Sequence, residues 1–129
     1  MSTLLDTQAF LWFVTGDSRL SAAARAAIED PAAAGKLISI ASAWEMAIKT
    51  SLGKLILAEP FGILVPRELH RNGFRLYPIE LRHLSTVASL PFHHRDPFDR
   101  LIAAQAMEDG LTVVSSDAAF DAYGVKRVW

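Results

Sequence analysis

Arg95-Asp96-Pro97-Phe98-Asp99-Arg100-Leu101-Ile102-Ala103-Ala104-Gln105-Ala106 is the stretch whose reading decides the fold. Asp96 can cap a helix, and Pro97 suits the first turn, where a backbone N–H has no partner inside the helix. The pattern predicts a helix to about Asp109, with Gly110 at its end. Leu111 to Ser115 follows at once as an apolar strand, and Asp117 leaves it. On the helix, Asp99 shares a face with Ile102, Ala103 and Ala106, the face that should pack inward. An unpaired carboxylate there costs on the order of several kcal/mol. A bound cation would remove that cost, and the helix N-terminus would help keep the group ionised.

The rest of the chain repeats this alternation. Met1 to Leu5 reads as a first strand ending at Asp6, and a helix from Thr7 to about Val14 carries Phe10, Trp12 and Phe13. Gly16-Asp17-Ser18 interrupts the chain. Ser21 can cap a second helix through Ala22 to Glu29, stopped by Asp30-Pro31. Lys36 to Ile40 reads as strand two. Ser42 then opens a helix to about Ser51, with Gly53 at its end. A helix from Pro60 to Asn72 contains Pro66. Phe74 to Ile79 reads as strand three, Glu80 to Ala88 as a short helix and Pro91 to Arg95 as a loop. After strand four, Asp117 to Ala122 reads as a turn or short helix, and Val125 to Trp129 as a last strand. Strands alternating with helices predict an α/β fold whose parallel sheet is covered on both faces. With no repeats, low-complexity tracts or linker, residues 1–129 read as a single domain.

Composition narrows the classes. The chain of 129 residues is 51% hydrophobic and 21% charged, too apolar for disorder and long enough for one core. No apolar run approaches a transmembrane length, and the N-terminus lacks the basic region and cleavage site of a signal peptide. The expectation is a cytoplasmic protein with no membrane association. Zero cysteines exclude disulfides, thiolate metal sites and a cysteine nucleophile. A net charge of −1 is not the basic footprint of a high-affinity nucleic-acid binder. It still allows a nucleic-acid substrate whose phosphate is met through metal ions.

In open parallel sheets, ligands bind beyond the carboxyl ends of the strands. Asp6 and Asp117 leave strands one and four at that edge. Glu45 and Asp99 lie near the starts of helices that begin there. Four carboxylates gathered in one place repel each other and call for a divalent cation. Hard oxygens suit Mg²⁺ or Mn²⁺, and such a site points to phosphodiester cleavage. Each acid also has a plainer reading. Asp99, three residues after Asp96, could satisfy backbone donors, and Ser42-Ala43-Trp44-Glu45 matches a capping box. Asp6 could simply cap a helix and Asp117 simply make a turn. The case for a site rests on the four coinciding. Lys49, four residues after Glu45, is placed to pair with it. His93-His94 reads as a surface loop, because adjacent histidines on a regular element point apart. His70 and His83 carry no functional signal.

These residues are also where the chain resembles PIN-domain ribonucleases, specifically the VapC-type toxins of bacterial toxin–antitoxin pairs. The matching stretches are Leu4-Leu5-Asp6-Thr7, Ser42-Ala43-Trp44-Glu45-Met46-Ala47-Ile48-Lys49, Leu52-Gly53-Lys54-Leu55, the Arg95 to Ala106 run, and Ser115-Ser116-Asp117. They spread over almost the whole chain in the family's order. The resemblance implies an α/β/α sandwich with a central parallel sheet of four to five strands. It implies an endoribonuclease dependent on Mg²⁺ or Mn²⁺, one or two ions per site. Asp6, Glu45, Asp99 and Asp117 become the catalytic acids. Asp6, Asp99 and Asp117 would hold metal, with Glu45 as a further ligand or a base that orients water. Thr7, Asp96 and Ser115 would support them; Arg95 and Arg100 flank the acidic helix start and could guide RNA, although such residues are more often ordinary solvated charges. The implied partners are a cognate VapB-type antitoxin whose tail reaches the acidic site, an RNA substrate and a second copy in a homodimer. Phe10, Trp12, Phe13, Trp44 and Leu52 offer more apolar bulk than a small core needs, with several of them expected to be plain core. Two departures from the family pattern are Gln8, where a smaller polar residue is common, and Ser115, where threonine is frequent.

Two other classes remain open at this stage. A phosphoryl-transfer or receiver-like domain also gathers carboxylates at a sheet edge. However, a phosphatase of the haloacid-dehalogenase type wants an acid where Gln8 stands, and Ile79-Glu80 fits a receiver poorly. A PIN-like RNA- or protein-binding module without metal is the other, and the presence of all four acids argues against it.

Overall fold

Leu4, Leu37 and Val113 face one side of the central sheet, while Leu5, Ile38 and Val114 face the other, as the two-residue period of a strand requires. The computed structural model describes residues 2–129, so the Met1 end of the expected first strand lies outside the described residues. Five parallel strands, β1 (Ser2–Leu5), β2 (Gly35–Ser39), β3 (Phe74–Tyr77), β4 (Thr112–Val114) and β5 (Arg127–Val128), lie in the order β3-β2-β1-β4-β5. Leu4 and Leu5 on the middle strand are both fully buried.

Helices cover both faces, giving an α/β/α sandwich. On the Leu5 side pack α1 (Thr7–Thr15), α2 (Ala22–Glu29), α4 (Phe61–Arg71) and Met46 of α3 (Ile40–Ser51). On the Leu4 side pack α6 (Pro97–Asp109) and a 3-10 helix (Ala118–Tyr123), with α5 (Leu81–Ala88) lying against α6. Each fully buried Leu, Ile or Phe contributes roughly 1.5–3 kcal/mol relative to exposure. Among the described residues, no helix is long and apolar enough to cross a membrane.

The chain runs outward from β1 to β2 and β3, then returns to β4 and β5 on the other side of β1. That reversal opens a crevice at the carboxyl ends of β1 and β4, the place where such sheets receive ligands. The Asp6 N–H donates to the Val114 carbonyl at 3.1 Å, so the two strand ends are fixed to each other.

Several boundaries differ from the sequence reading. β2 ends at Ser39, whose hydroxyl accepts from the Ala41 N–H at 3.0 Å and so starts α3 at Ile40. Ser42 therefore lies inside the first turn, its buried hydroxyl has no partner among the described residues, and the expected Ser42–Glu45 capping box does not form. β3 stops before Pro78, which has no N–H to continue a ladder. β5 has only two paired residues. The last strand is an edge held by β4 alone. α4 continues through Pro66, which lies on its exposed side.

Candidate metal centre

Asp6 is the N-cap of α1. Its Oδ1 accepts from the Ala9 N–H at 2.8 Å and its Oδ2 from the Ser115 hydroxyl at 2.5 Å. The Ser115 oxygen in turn accepts from the Asp117 N–H at 3.0 Å, so one buried hydroxyl ties the end of β1 to the turn after β4. Asp117 caps the 3-10 helix, with its Oδ1 accepting from the Ala119 N–H at 2.9 Å. Glu45 projects from α3 between two donors, the Thr7 hydroxyl at 2.6 Å and the Lys49 ammonium at 2.5 Å. Asp96 caps α6 by accepting from the N–H groups of Phe98 and Asp99. Asp6, Glu45, Asp96, Asp99 and Asp117 line one cleft of about 360 Å³, with Lys49 and Lys54 at its walls.

Asp99 is the least compensated of these acids. Its Oδ2 lies 3.1 Å from His94 Nε2, and its Oδ1 has no donor among the described residues. Burial, reinforced by the charges of Asp96 and Asp6, pushes its carboxyl from an ordinary 3.8 up to about 7. Asp6 is also raised by burial, against the pull of its donors Ser115 and Ala9. Where a carboxylate oxygen accepts a single hydrogen bond, it retains a lone pair that could face the cleft. This donor set is carboxylate oxygen throughout, the chemistry that fits Mg²⁺ or Mn²⁺. The residues present therefore fit such an ion.

The sequence reading is corrected at two positions. His94 is not a plain surface residue: its Nε2 lies 2.6 Å from Asp117 Oδ2 as well as 3.1 Å from Asp99 Oδ2. Adjacent histidines do point apart, since His93 packs edge-on against Tyr123 at 5.0 Å. One inward ring was enough to reach the site. The available signal was Asp96, because a residue two before an N-cap lies beside the helix start. Arg100, expected to contact RNA, is only 6% exposed. Its guanidinium donates to the carbonyls of Pro91, Leu90, His94 and Val87 and fastens the loop before α6. Arg95 is exposed and precedes the cleft-lining Asp96 in sequence. Thr7 and Ser115 hold Glu45 and Asp6, and the expected Glu45–Lys49 pair is present.

Residues 3–126 match the model of the PIN domain family. No curated protein sequence matches the chain. Similar solved structures include VapBC2 from Rickettsia felis bound to a DNA fragment from its promoter, with a TM-score of 0.73, 14% identity, and coverage of 98% of this chain and 97% of that one. VapBC-1 from nontypeable Haemophilus influenzae gives a TM-score of 0.65 at 13% identity, covering 98% and 96%. FitAcB from Neisseria gonorrhoeae gives 0.57 at 20% identity, covering 97% and 95%. At these identities the likeness concerns the fold.

Proposed function

The chain belongs to the PIN domain family, and from that premise we propose that it is a divalent-metal-dependent endoribonuclease, the VapC-type toxin of a toxin–antitoxin pair acting in the cytoplasm. PIN domains are generally nucleases. The observation that carries the reading is Asp99, a half-buried carboxylate beside Asp6 and Asp96 with one oxygen lacking a donor among the described residues. Apart from the His94 contact, the nearest counter-charge is Lys49, which is already paired with Glu45. Asp6, Asp99 and Asp117 would hold Mg²⁺ or Mn²⁺, one or two ions. The ion would supply Lewis acidity toward phosphate and an acidified water.

The chain's own groups would then divide the remaining work. Glu45, steadied by Thr7 and Lys49, orients the attacking water or joins the ligand set. Ser115 keeps Asp6 and Asp117 in register. Asp96 holds the α6 start that presents Asp99. Lys49 and Lys54 line the otherwise acidic cleft, and with exposed Arg95 they would form a positive rim toward RNA.

Two surfaces support the partner assignments. Beyond the acidic cleft, Leu11, Trp12, Leu55, Ile56 and Leu57 line an apolar groove, and Ile56 is 90% exposed. A segment of the cognate antitoxin lying in that groove would reach the acids, where a basic side chain would compete with the metal. The resemblance to solved toxin–antitoxin complexes supports this partner. Ile40, Trp44 and Leu52 form an exposed apolar stripe on and just beyond α3, suited to a second copy of the chain.

The test is cleavage of a mixed RNA pool by the purified chain with Mn²⁺, with EDTA and with Asp99→Asn. Cleavage lost in both controls supports the reading. Cleavage that survives EDTA, or a folded and fully active Asp99→Asn protein, refutes it.

A further inference from the structure

His94 places a ring nitrogen among the acids, and proximity alone would make it a metal ligand together with Asp99 and Asp117. Its second nitrogen argues otherwise. The Asp96 N–H donates to His94 Nδ1 at 3.1 Å, so Nδ1 presents a lone pair and the ring proton of the neutral imidazole is on Nε2. Nε2 is therefore a donor, and it lies 2.6 Å from Asp117 Oδ2 and 3.1 Å from Asp99 Oδ2. A ligating Nε2 would have to lose that proton while Nδ1 remained capped by an N–H. Distance agrees. Adjacent ligands of one octahedral Mg²⁺-sized ion stand about 3 Å apart, given bonds of roughly 2.0–2.1 Å. The His94–Asp117 approach is shorter and has the length of a hydrogen bond to a charged oxygen.

The same device occurs elsewhere in the molecule with no site attached. The Glu80 N–H donates to His83 Nδ1 at 2.9 Å, and His83 Nε2 meets Asp109 Oδ2 at 2.8 Å. There too a helix-cap N–H fixes the tautomer and the far nitrogen grips an aspartate on another element. His83 ties the start of α5 to the end of α6. His94 ties the start of α6 to the turn after β4.

We propose that His94 is a positioning residue of the metal centre: an Nε2–H donor that clamps Asp117 to Asp99 and leaves the ion an all-oxygen ligand set. The clamp matters most for Asp117, whose side chain is 42% exposed and otherwise held only by its own turn. The role rests on the metal-dependent reading above. Outer hydrogen bonds of this kind typically change metal affinity by about 10–100-fold.

The test measures Mn²⁺ binding by calorimetry for the unsubstituted chain, His94→Ala, His94→Gln and Asp6→Asn, with pulsed electron paramagnetic resonance on the bound ion. Nitrogen-15 NMR of the metal-free protein reads the ring tautomer. The expected result is an Nε2–H tautomer, no directly bonded ¹⁴N coupling to Mn²⁺, and affinity about 10–100-fold weaker in His94→Ala. His94→Gln, which keeps an N–H at the position of Nε2, should recover most of it. A ¹⁴N coupling that disappears in His94→Ala would make His94 a ligand and overturn the proposal. So would an Nδ1–H tautomer, or full affinity in a folded His94→Ala. Asp6→Asn separates the two levels of inference. If it loses Mn²⁺ while His94→Ala does not, only the clamp fails. If the unsubstituted chain takes up no Mn²⁺, the metal reading fails and the clamp with it.

Discussion

Asp99→Asn should make the metal-free protein more stable while abolishing its activity, and the size of the effect can be worked from the site. Burial and the neighbouring acids raise the Asp99 carboxyl from 3.8 to about 7. At roughly 1.4 kcal/mol per tenfold change in proton affinity, that corresponds to on the order of 4 kcal/mol. The side chain keeps 21% of its exposure, so screening by solvent brings the expected gain to about 2–3 kcal/mol. The sign follows from linkage. An acid raised on folding binds its proton more tightly in the folded state. The metal-free chain therefore loses stability as pH climbs from about 4 to 7, and the loss is complete above that range. Asparagine carries no charge and keeps nearly the same shape. The variant should match the original near pH 4 and exceed it increasingly up to pH 8.

The assay is urea unfolding in EDTA across that pH range for both proteins. Saturating Mn²⁺ supplies a second arm. An ion that binds only the ionised carboxylates reverses the trend, so that stability of the unsubstituted chain then rises with pH. Parallel pH profiles for the two proteins in EDTA, or a variant less stable at pH 8, would refute the account of Asp99 as an uncompensated charge.

Four further outcomes follow from named contacts. Burial pulls Asp109 upward, but hydrogen bonds from Arg82, Tyr77 and His83 outweigh it and hold the carboxyl at about 2. The stability this gives is present above the ordinary carboxylate range and is lost as pH falls toward 2. Asp109→Asn should cost about 1–2 kcal/mol at pH 7 and almost nothing at pH 2, read by unfolding at both values. Arg100→Ala should cost roughly 3 kcal/mol, because it removes a buried guanidinium and leaves the buried Leu90 carbonyl without its donor, and Arg100→Lys should not restore it; retained thermal stability in either variant would contradict the role. Ser115→Ala should lower stability by about 1–3 kcal/mol and raise the Asp6 carboxyl further, whereas Ser115→Thr keeps the hydroxyl and should retain Mn²⁺ affinity, measured by titration. Lys49→Gln removes a half-exposed partner of Glu45, so stability should shift by no more than about 0.5 kcal/mol while the RNA cleavage rate falls.

Much of the fold was legible because its signals are local. Apolar strands that end in an acid, and helices that open on Asp96 or Ser21, need no knowledge of the tertiary neighbours. The misread boundaries lie where two local signals competed. Ser39 and Ser42 both suit a helix start, and the choice fell to Ser39, where β2 stops pairing. The candidate site was legible in its acids, which sit at predictable strand and helix ends. His94 escaped because a loop residue has no period to reveal its direction. Only the spatial approach of the β4 turn to the α6 start gives its Nε2 two aspartates to meet.

Arg100 and Asp99 show what separates a structural oddity from a functional one. They are neighbours on the same helix, and both are charged groups drawn into the protein where local preference would leave them in water. Arg100 finds its compensation within the chain, in the carbonyls of Val87, Leu90, Pro91 and His94. Asp99 instead meets further carboxylates, and burial first, with their charges second, raises its pKa. Burial alone would have flagged Arg100 ahead of Asp99. The distinction lies in whether the fold supplies the opposite charge or the matching hydrogen bonds. Where it does, the group is part of the architecture. Where the fold instead concentrates like charge around a half-buried group, the group takes up a proton more readily, and the proposed divalent cation is a partner whose charge and ligand preference match what surrounds Asp99.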